Sequence, residues 1–231
     1  MQYLALAADY DGTLASQGIV DKETLSALQR LLTSGRKLVL VTGRHMPDLK
    51  KVFSHLHLFH WVVAENGALL YEPSSHRERL LCAPPQPAFL SELRRRGVPF
   101  EIGKGIVAAR EPHRESVQAA IRNLDLHLQI IGNKGAVMVL PVGIDKGTGL
   151  RAALAELGLS QQNTVGIGDA ENDDALLAAC GCGVAVDNAL PFLKERADIV
   201  TRGRHGAGVS ELIEKLLKDD LAECRPSLTH Q

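Results

Sequence analysis

Aromatic side chains are scarce, at 4% of 231 residues against 45% for hydrophobic residues as a whole. That excludes an interior built on stacked rings. The core has to be assembled from Leu, Val, Ala and Ile. Charge of one sign is also missing: 26 basic and 27 acidic residues leave a formal net charge of −1. No global electrostatic bias draws the chain to nucleic acid or to an acidic membrane surface. No apolar run approaches the ~20 residues of a membrane-spanning helix. The N-terminus has no basic region before its apolar stretch, so no secretory signal is expected. Cys82, Cys180, Cys182 and Cys224 contain no C-x-x-C pair, and Cys180-Gly-Cys182 is too tight for a usual zinc knuckle. These thiols read as small buried or incidental groups in a reducing setting, and the expected location is cytoplasmic, with neither nucleic acid nor membrane as partner.

What is present is an alternation of strands and helices. "YLALAA" (3–8), "KLVLV" (37–41), "WVVA" (61–64), "TVGIG" (164–168), "GVAV" (183–186) and "DIV" (198–200) are short, continuous apolar runs, the pattern of buried strands. "ALLY" (68–71) extends the third as a hairpin. Between them lie helical patterns at 22–33, from Pro47 to about 55, at 171–180, after Asn188 as a cap, and at 208–218. Fully apolar strands alternating with helices imply an α/β fold with a parallel sheet covered on both faces.

The middle of the chain breaks this grammar. Residues 73–87 hold four of the ten prolines, Pro73, Pro84, Pro85 and Pro87, as at a domain junction. Helical patterns then appear at 88–96 and 113–124, with strand patterns at 98–102, 105–110, 126–131 and 136–140. The expected organisation is a core from 1–72 and 144–220, a smaller α+β insert at 73–143, and a polar tail at 221–231 that frays.

Several strands end in chemistry. The first ends at Asp9, with Asp11, Gly12 and Thr13 behind it. The second ends at Thr42-Gly43-Arg44, the third is followed by Asn66, and "TVGIG" runs into Asp169. In an open parallel sheet, ligands bind outside the carboxyl ends of the strands, which puts these groups on one edge. Each alone has an ordinary explanation: an acidic turn, a strand end, an acidic helix start, an exposed Lys146. All of them together on one edge do not.

"DYDGTL", "VTGR", "DKG" and "GDAEND", in that order, resemble the four motifs of the haloacid dehalogenase-like phosphohydrolases over residues 3 to 218. The insert, after the third strand and before Lys146, resembles the large second-type cap of that superfamily. "AENGALLY" and "VAVDNALPFLKERADIVT" resemble its Cof-type, sugar-phosphatase branch. The resemblance implies a Rossmann-like core with an inserted cap, and hydrolysis of a small phosphate ester such as a sugar phosphate or a phosphoglycolate-like compound.

It also implies roles. Asp9 is the nucleophile that becomes an aspartyl-phosphate, and Asp11, two residues on and on the same side of an extended backbone, is the acid and base. Two carboxylates would repel a phosphate dianion, and oxygen-only ligands point to Mg²⁺. Asp9 and Asp169 supply carboxylates to it, and the family pattern adds the main-chain carbonyl of Asp11. Asp173, one helical turn from Asp169, ligates directly or through water and orients Lys146. Thr42, Gly43, Asn66 and Asn172 surround the phosphate. Lys146 offsets its negative charge. Arg44 either touches substrate or pairs with a surface acid.

Outside this set, "GNKGA" (132–136) with Lys134 is either a specificity loop or an ordinary hairpin turn. Arg94 to Arg96 read as a solvated helix face or, alternatively, as a contact to the substrate phosphate, and His55, His57 and His60 have no acidic neighbour in sequence to make a metal site. Tyr10 must face away from Asp9 and Asp11, into packing. A phosphomutase on the same residues, or a silent binding or regulatory module, are the rival readings. The cap resemblance speaks against the first, and the complete motif set against the second.

Overall fold

The apolar N-terminal run forms β1 (Ala5–Asp9), whose five residues are all buried. Helix α1 (Lys22–Thr33) follows, started by the Asp21 carboxylate, which accepts from the Thr24 N–H. Then come β2 (Lys37–Val41), α2 (Met46–Val52), β3 (Trp61–Ala64), β4 (Leu69–Glu72) and β5 (Arg77–Leu80). The middle supplies α3 (Pro87–Arg95), β6 (Glu101–Ile102), β7 (Val107–Arg110), α4 (Arg114–Asn123), β8 (Leu128–Asn133) and β9 (Ala136–Pro141). The chain closes with α5 (Lys146–Leu157), β10 (Thr164–Gly168), α6 (Asp174–Ala178), β11 (Cys182–Ala185), α7 (Pro191–Arg196), β12 (Ile199–Val200) and α8 (His205–Asp219). This computed structural model describes residues 1–222.

Eight strands form one sheet in the order β12-β11-β10-β1-β2-β3-β4-β5. From β12 to β3 every pairing is parallel; β4 and β5 are added antiparallel. Burying a single leucine such as Leu6 at the centre of this sheet contributes about 1.5–3 kcal/mol. Strand β5, expected in the insert, instead extends the large sheet. Its alternation of exposed and half-buried residues suits an edge strand rather than an interior one.

The second sheet has four strands, β6-β7-β9-β8, all antiparallel. One face packs Val107, Ala109, Val137 and Val139 against Phe89 and Leu93 of α3 and Val117 and Ala120 of α4. A third apolar cluster, Ala68, Ile106, Met138 and Leu140, joins the small sheet to the turn before β4.

Three local expectations change. Asn188 does not cap α7; Leu190 holds that position, Pro191 opens the helix, and the Asn188 side chain is engaged elsewhere. Helix α2 starts at Met46, so Thr42 and Gly43 lie in the turn ahead of it. The expected tail contains Leu221, which is buried in the core because Asp220 turns the chain back in a left-handed conformation. Residues 223–231, with Cys224 and the rest of that tail, lie outside the described residues. Among the described residues, Cys82 and Cys180 form no disulfide, and no helix is long and apolar enough to cross a membrane.

Candidate active site

Parallel pairing brings the strand ends together. Strand β1 lies between β2 and β10, with Asp9 opposite Val41 and Ala8 opposite Ile167. Asp9 and Asp169 therefore emerge side by side, and Thr42 follows directly from β2. Asp9, Asp169 and Asp173 are buried, and one carboxylate oxygen of each lies within 4.8 Å of the others.

Three buried carboxylates repel one another, and the structure offsets this with lysine. Lys146 is the first residue of α5 and is 1% exposed. Its Nζ donates to Asp9 Oδ1 at 2.5 Å and to Asp173 Oδ1 at 2.6 Å. Burial alone would lower the Lys146 ammonium, but Asp173 and Asp9 outweigh it and hold it above the usual lysine range. Burial, then the Asp173 charge, push the Asp9 carboxyl well above the ordinary aspartate value, with Lys146 opposing. Burial also raises Asp169, against Lys134, whose ammonium donates to Asp169 Oδ2 from the β8–β9 turn. The lysine of "GNKGA" thus meets the aspartate cluster, and its N–H donates to Glu171.

Asp173 does not share a helical face with Asp169. Asp169 directly follows β10, and Asp173 closes a short 3-10 turn, Glu171–Asp173, that precedes α6. The Asp173 Oδ2 caps this turn, accepting from the N–H groups of Asp169 and Ala170 at 2.9 and 3.0 Å, while Oδ1 holds Lys146.

Gly12 makes the cluster possible. Its φ is +89°, and a Cβ there would sit 2.1 Å from Asp169 Oδ2, so only glycine fits. Thr13 Oγ1 donates to Asp169 Oδ1. Arg44 grips both oxygens of Asp11, at 2.6 and 2.7 Å, so the acid it pairs with is the second aspartate of "DYDGTL". Tyr10 faces away: its ring packs 5.4 Å from that of Phe53 and its hydroxyl donates to the Gly18 carbonyl.

Beside the aspartates lies a polar shelf. The Thr42 hydroxyl accepts from the Arg44 N–H, Asn172 Nδ2 donates to Asn66 Oδ1 at 2.9 Å, and Asn66 faces Met138 of β9. Asn172 Oδ1 is buried without a hydrogen-bond partner. Asp9, Asp11, Gly43, Arg44, Asp169 and Asn172 share a cleft of about 810 Å³ with residues of the small sheet.

The buried oxygen donors suit a hard divalent cation: there are no nitrogen or sulfur ligands, and the burial and the Asp173 charge that raise Asp9 are what such an ion would offset. Among the described residues this is the one such group; His55, His57 and His60 form none. Arg94 lies over the Phe100 ring, and Arg95 and Arg96 pair with Glu92, away from the cleft.

The profile of the haloacid dehalogenase-like hydrolases matches residues 6–84 and 100–213. The chain belongs to that family. It is 31% identical to phosphoglycolate phosphatase 2 of Saccharolobus solfataricus, covering 95% of each chain. It is 30% identical to a phosphoglycolate phosphatase of Methanothermobacter thermautotrophicus, over 92% of this chain and 98% of that one. A haloacid dehalogenase-like hydrolase from Bacteroides thetaiotaomicron has the same fold, with a TM-score of 0.78 at 20% identity, covering 93% of this chain and 99% of the other.

Three residues of this haloacid dehalogenase-like hydrolase escaped the sequence reading. Asn188 Nδ2 and His205 Nδ1 both donate to the Gly12 carbonyl at 2.8 Å, and the His205 N–H donates to Asn188 Oδ1. They fix the turn that carries Asp11. Asp145 caps α5 in a reciprocal box with Thr148, aiming Lys146 at Asp9. Only this last had a local signal, the D-x-x-T spacing of a helix start.

Proposed function

We propose that the chain is a Mg²⁺-dependent phosphatase of a small phosphorylated acid, phosphoglycolate being the compound named for its relatives, and that Asp9 is the nucleophile. The observation that carries this is Asp9 at the tip of β1, with one oxygen held by Lys146 and the other free to meet phosphorus. Asp9 attacks phosphorus and the bond to the ester oxygen breaks. Asp11 gives that oxygen its proton. Water then attacks the aspartyl-phosphate, Asp11 takes a proton back, and phosphate leaves Asp9.

Asp9, Asp169 and the Asp11 carbonyl would hold the cation, which supplies charge neutralisation for the phosphate oxygens. Asp173 acts mainly by orienting Lys146 and the Asp169 backbone, and would support the cation's ligands from there. Thr42, Gly43, Asn66 and Asn172 receive the phosphate through their hydroxyl and N–H donors. Arg44 holds Asp11 in place between turnovers and yields it when substrate enters. The small sheet with α3 and α4 serves as the cap over the core.

The test is hydrolysis of 2-phosphoglycolate and of p-nitrophenyl phosphate with and without Mg²⁺, alongside Asp9→Asn. The wild type turns over only with the cation, and the variant loses roughly 10⁴-fold or more in kcat. An Asp9→Asn enzyme with wild-type turnover would overturn the nucleophile assignment.

A further inference from the structure

Above the aspartates, the small sheet carries a cation that the chemistry just described does not use. Strand alternation defines that ceiling. In β7, Val107 and Ala109 are buried toward α3 and α4, so Ala108 and Arg110 stand on the opposite face. The register sets Ala108 opposite Met138 and Arg110 opposite Ala136, and all four line the cleft together with Asp9 and Asp11. Met138 fixes this face over the phosphate shelf: its methyl carbon lies 3.0 Å from where a Cβ on Gly43 would be. Arg110 therefore stands two residues, about 7 Å, along the strand from the row above Gly43.

The charges of the cleft wall are otherwise matched. Glu101 faces the His45 ring, Glu111 pairs with Arg114, and Asp48 pairs with Lys51. Arg44 is taken by Asp11 and Lys134 by Asp169. The Arg110 guanidinium makes no hydrogen bond or ion pair with any described residue; only its main chain is engaged, its carbonyl accepting from the His113 N–H. The row over Gly43, Ala108 and Met138 with Ala136 beside it, offers no hydrogen-bond donors to the hydroxyls of a sugar.

We infer that Arg110 is a specificity-determining residue that receives a carboxylate carried by the substrate, while the ester phosphate lies below it at Gly43. This rests on the phosphatase reading above. A planar guanidinium meets a carboxylate in two parallel hydrogen bonds, a match that an ammonium lacks. An anion arriving there would meet an exposed guanidinium with no internal ion pair to break.

The experiment compares kcat/KM for 2-phosphoglycolate with kcat/KM for p-nitrophenyl phosphate and glucose 6-phosphate, in the wild type, Arg110→Gln and Arg110→Lys. The phosphoglycolate to p-nitrophenyl phosphate ratio falls roughly 10- to 100-fold in Arg110→Gln, mostly through KM. Arg110→Lys, which keeps the charge without the fork, lies between. A ratio that does not move, or equal losses on all three substrates, overturns the inference while leaving the phosphatase reading intact. Glucose 6-phosphate preferred over phosphoglycolate by the wild type, with that preference lost in Arg110→Gln, overturns the choice of a carboxylate. A wild type inactive on every substrate overturns both readings.

Discussion

The floor and the ceiling of the cleft are built on opposite principles. On the floor, Asp9, Asp169, Asp173 and Lys146 are buried, mutually bonded and placed by strand tips whose register leaves no freedom. On the ceiling, Ala108, Arg110, Ala136 and Met138 project from a small sheet whose core lies on its other face. The floor has little tolerance because every charge depends on its neighbours. The ceiling can be re-lettered at Ala108 and Arg110, which belong to no apolar cluster, whereas Met138 and Ala136 also pack with Ala68 and Ile106. A family built this way keeps one reaction and varies what it acts on.

The harshest way to break that contrast is Lys146→Met. It strands Asp9 and Asp173 as buried carboxylates without their cation. We expect a loss of about 3–5 kcal/mol in urea unfolding at neutral pH, beside the loss of activity. Stability within 1 kcal/mol of wild type, on the order of a surface pair, would show that the floor is not held by its charges.

A pair of glycines sharpens the comparison, because the backbone conformation is nearly the same and the surroundings are not. Gly12 on the floor has φ +89° and no room for a Cβ beside Asp169; Gly135, in the β8–β9 turn, has φ +84° and nothing within 4 Å of a Cβ. Gly135→Ala has only backbone strain to bear, about 1 kcal/mol. Gly12→Ala adds a collision with Asp169, so we expect a cost above 2 kcal/mol and at least a tenfold fall in kcat, by rough analogy with other strained sites. Equal melting temperatures for the two variants would remove the distinction between floor and ceiling at this point.

The same contrast governs what could be read from the sequence. Asp9, Asp11, Thr42 and Asp169 were legible because each follows a short apolar strand, and the edge they share follows from parallel pairing alone. The pairing of Arg44 with Asp11 was half legible: an acid was expected, but which one depends on side-chain geometry across two strands. Asn188 and His205 were not legible as partners of Gly12, since they lie 176 and 193 residues away and no local pattern marks them. Arg110 was invisible for another reason. Which face of β7 sees the cleft is decided by its register with β9 and by what α3 and α4 cover, and a shift of one residue would have turned Arg110 away.

The smallest effect concerns how the ceiling is fastened to the floor. Glu65, buried in the turn after β3, accepts from the N–H groups of Lys104 and Gly105 in the β6–β7 turn, at 3.1 and 2.8 Å. Gly103 and Gly105 permit this approach: a Cβ on Gly103 would sit 2.5 Å from the Glu65 carboxylate, and one on Gly105 2.6 Å from Ala68. Burial pushes the Glu65 carboxyl up, but the His45 ring and these two N–H groups outweigh it and hold it below the ordinary glutamate value of 4.5. A depressed carboxyl contributes stability that is fully present above its unfolded value and lost as pH falls through its folded one. The fastening is therefore intact at neutral pH and fails below about pH 4.5. Glu65→Gln removes the charge while keeping an acceptor, so we expect about 1 kcal/mol of lost stability at pH 7 and a gap from wild type that narrows as the pH falls below the ordinary glutamate value and through the depressed folded one. Amide hydrogen exchange at Lys104 and Gly105 reads the contact itself: their protection falls in the variant, while the amides of β1 keep theirs. Protection at those two amides that is unchanged in Glu65→Gln would mean that the apolar cluster around Met138, and not the carboxylate, holds the ceiling in place.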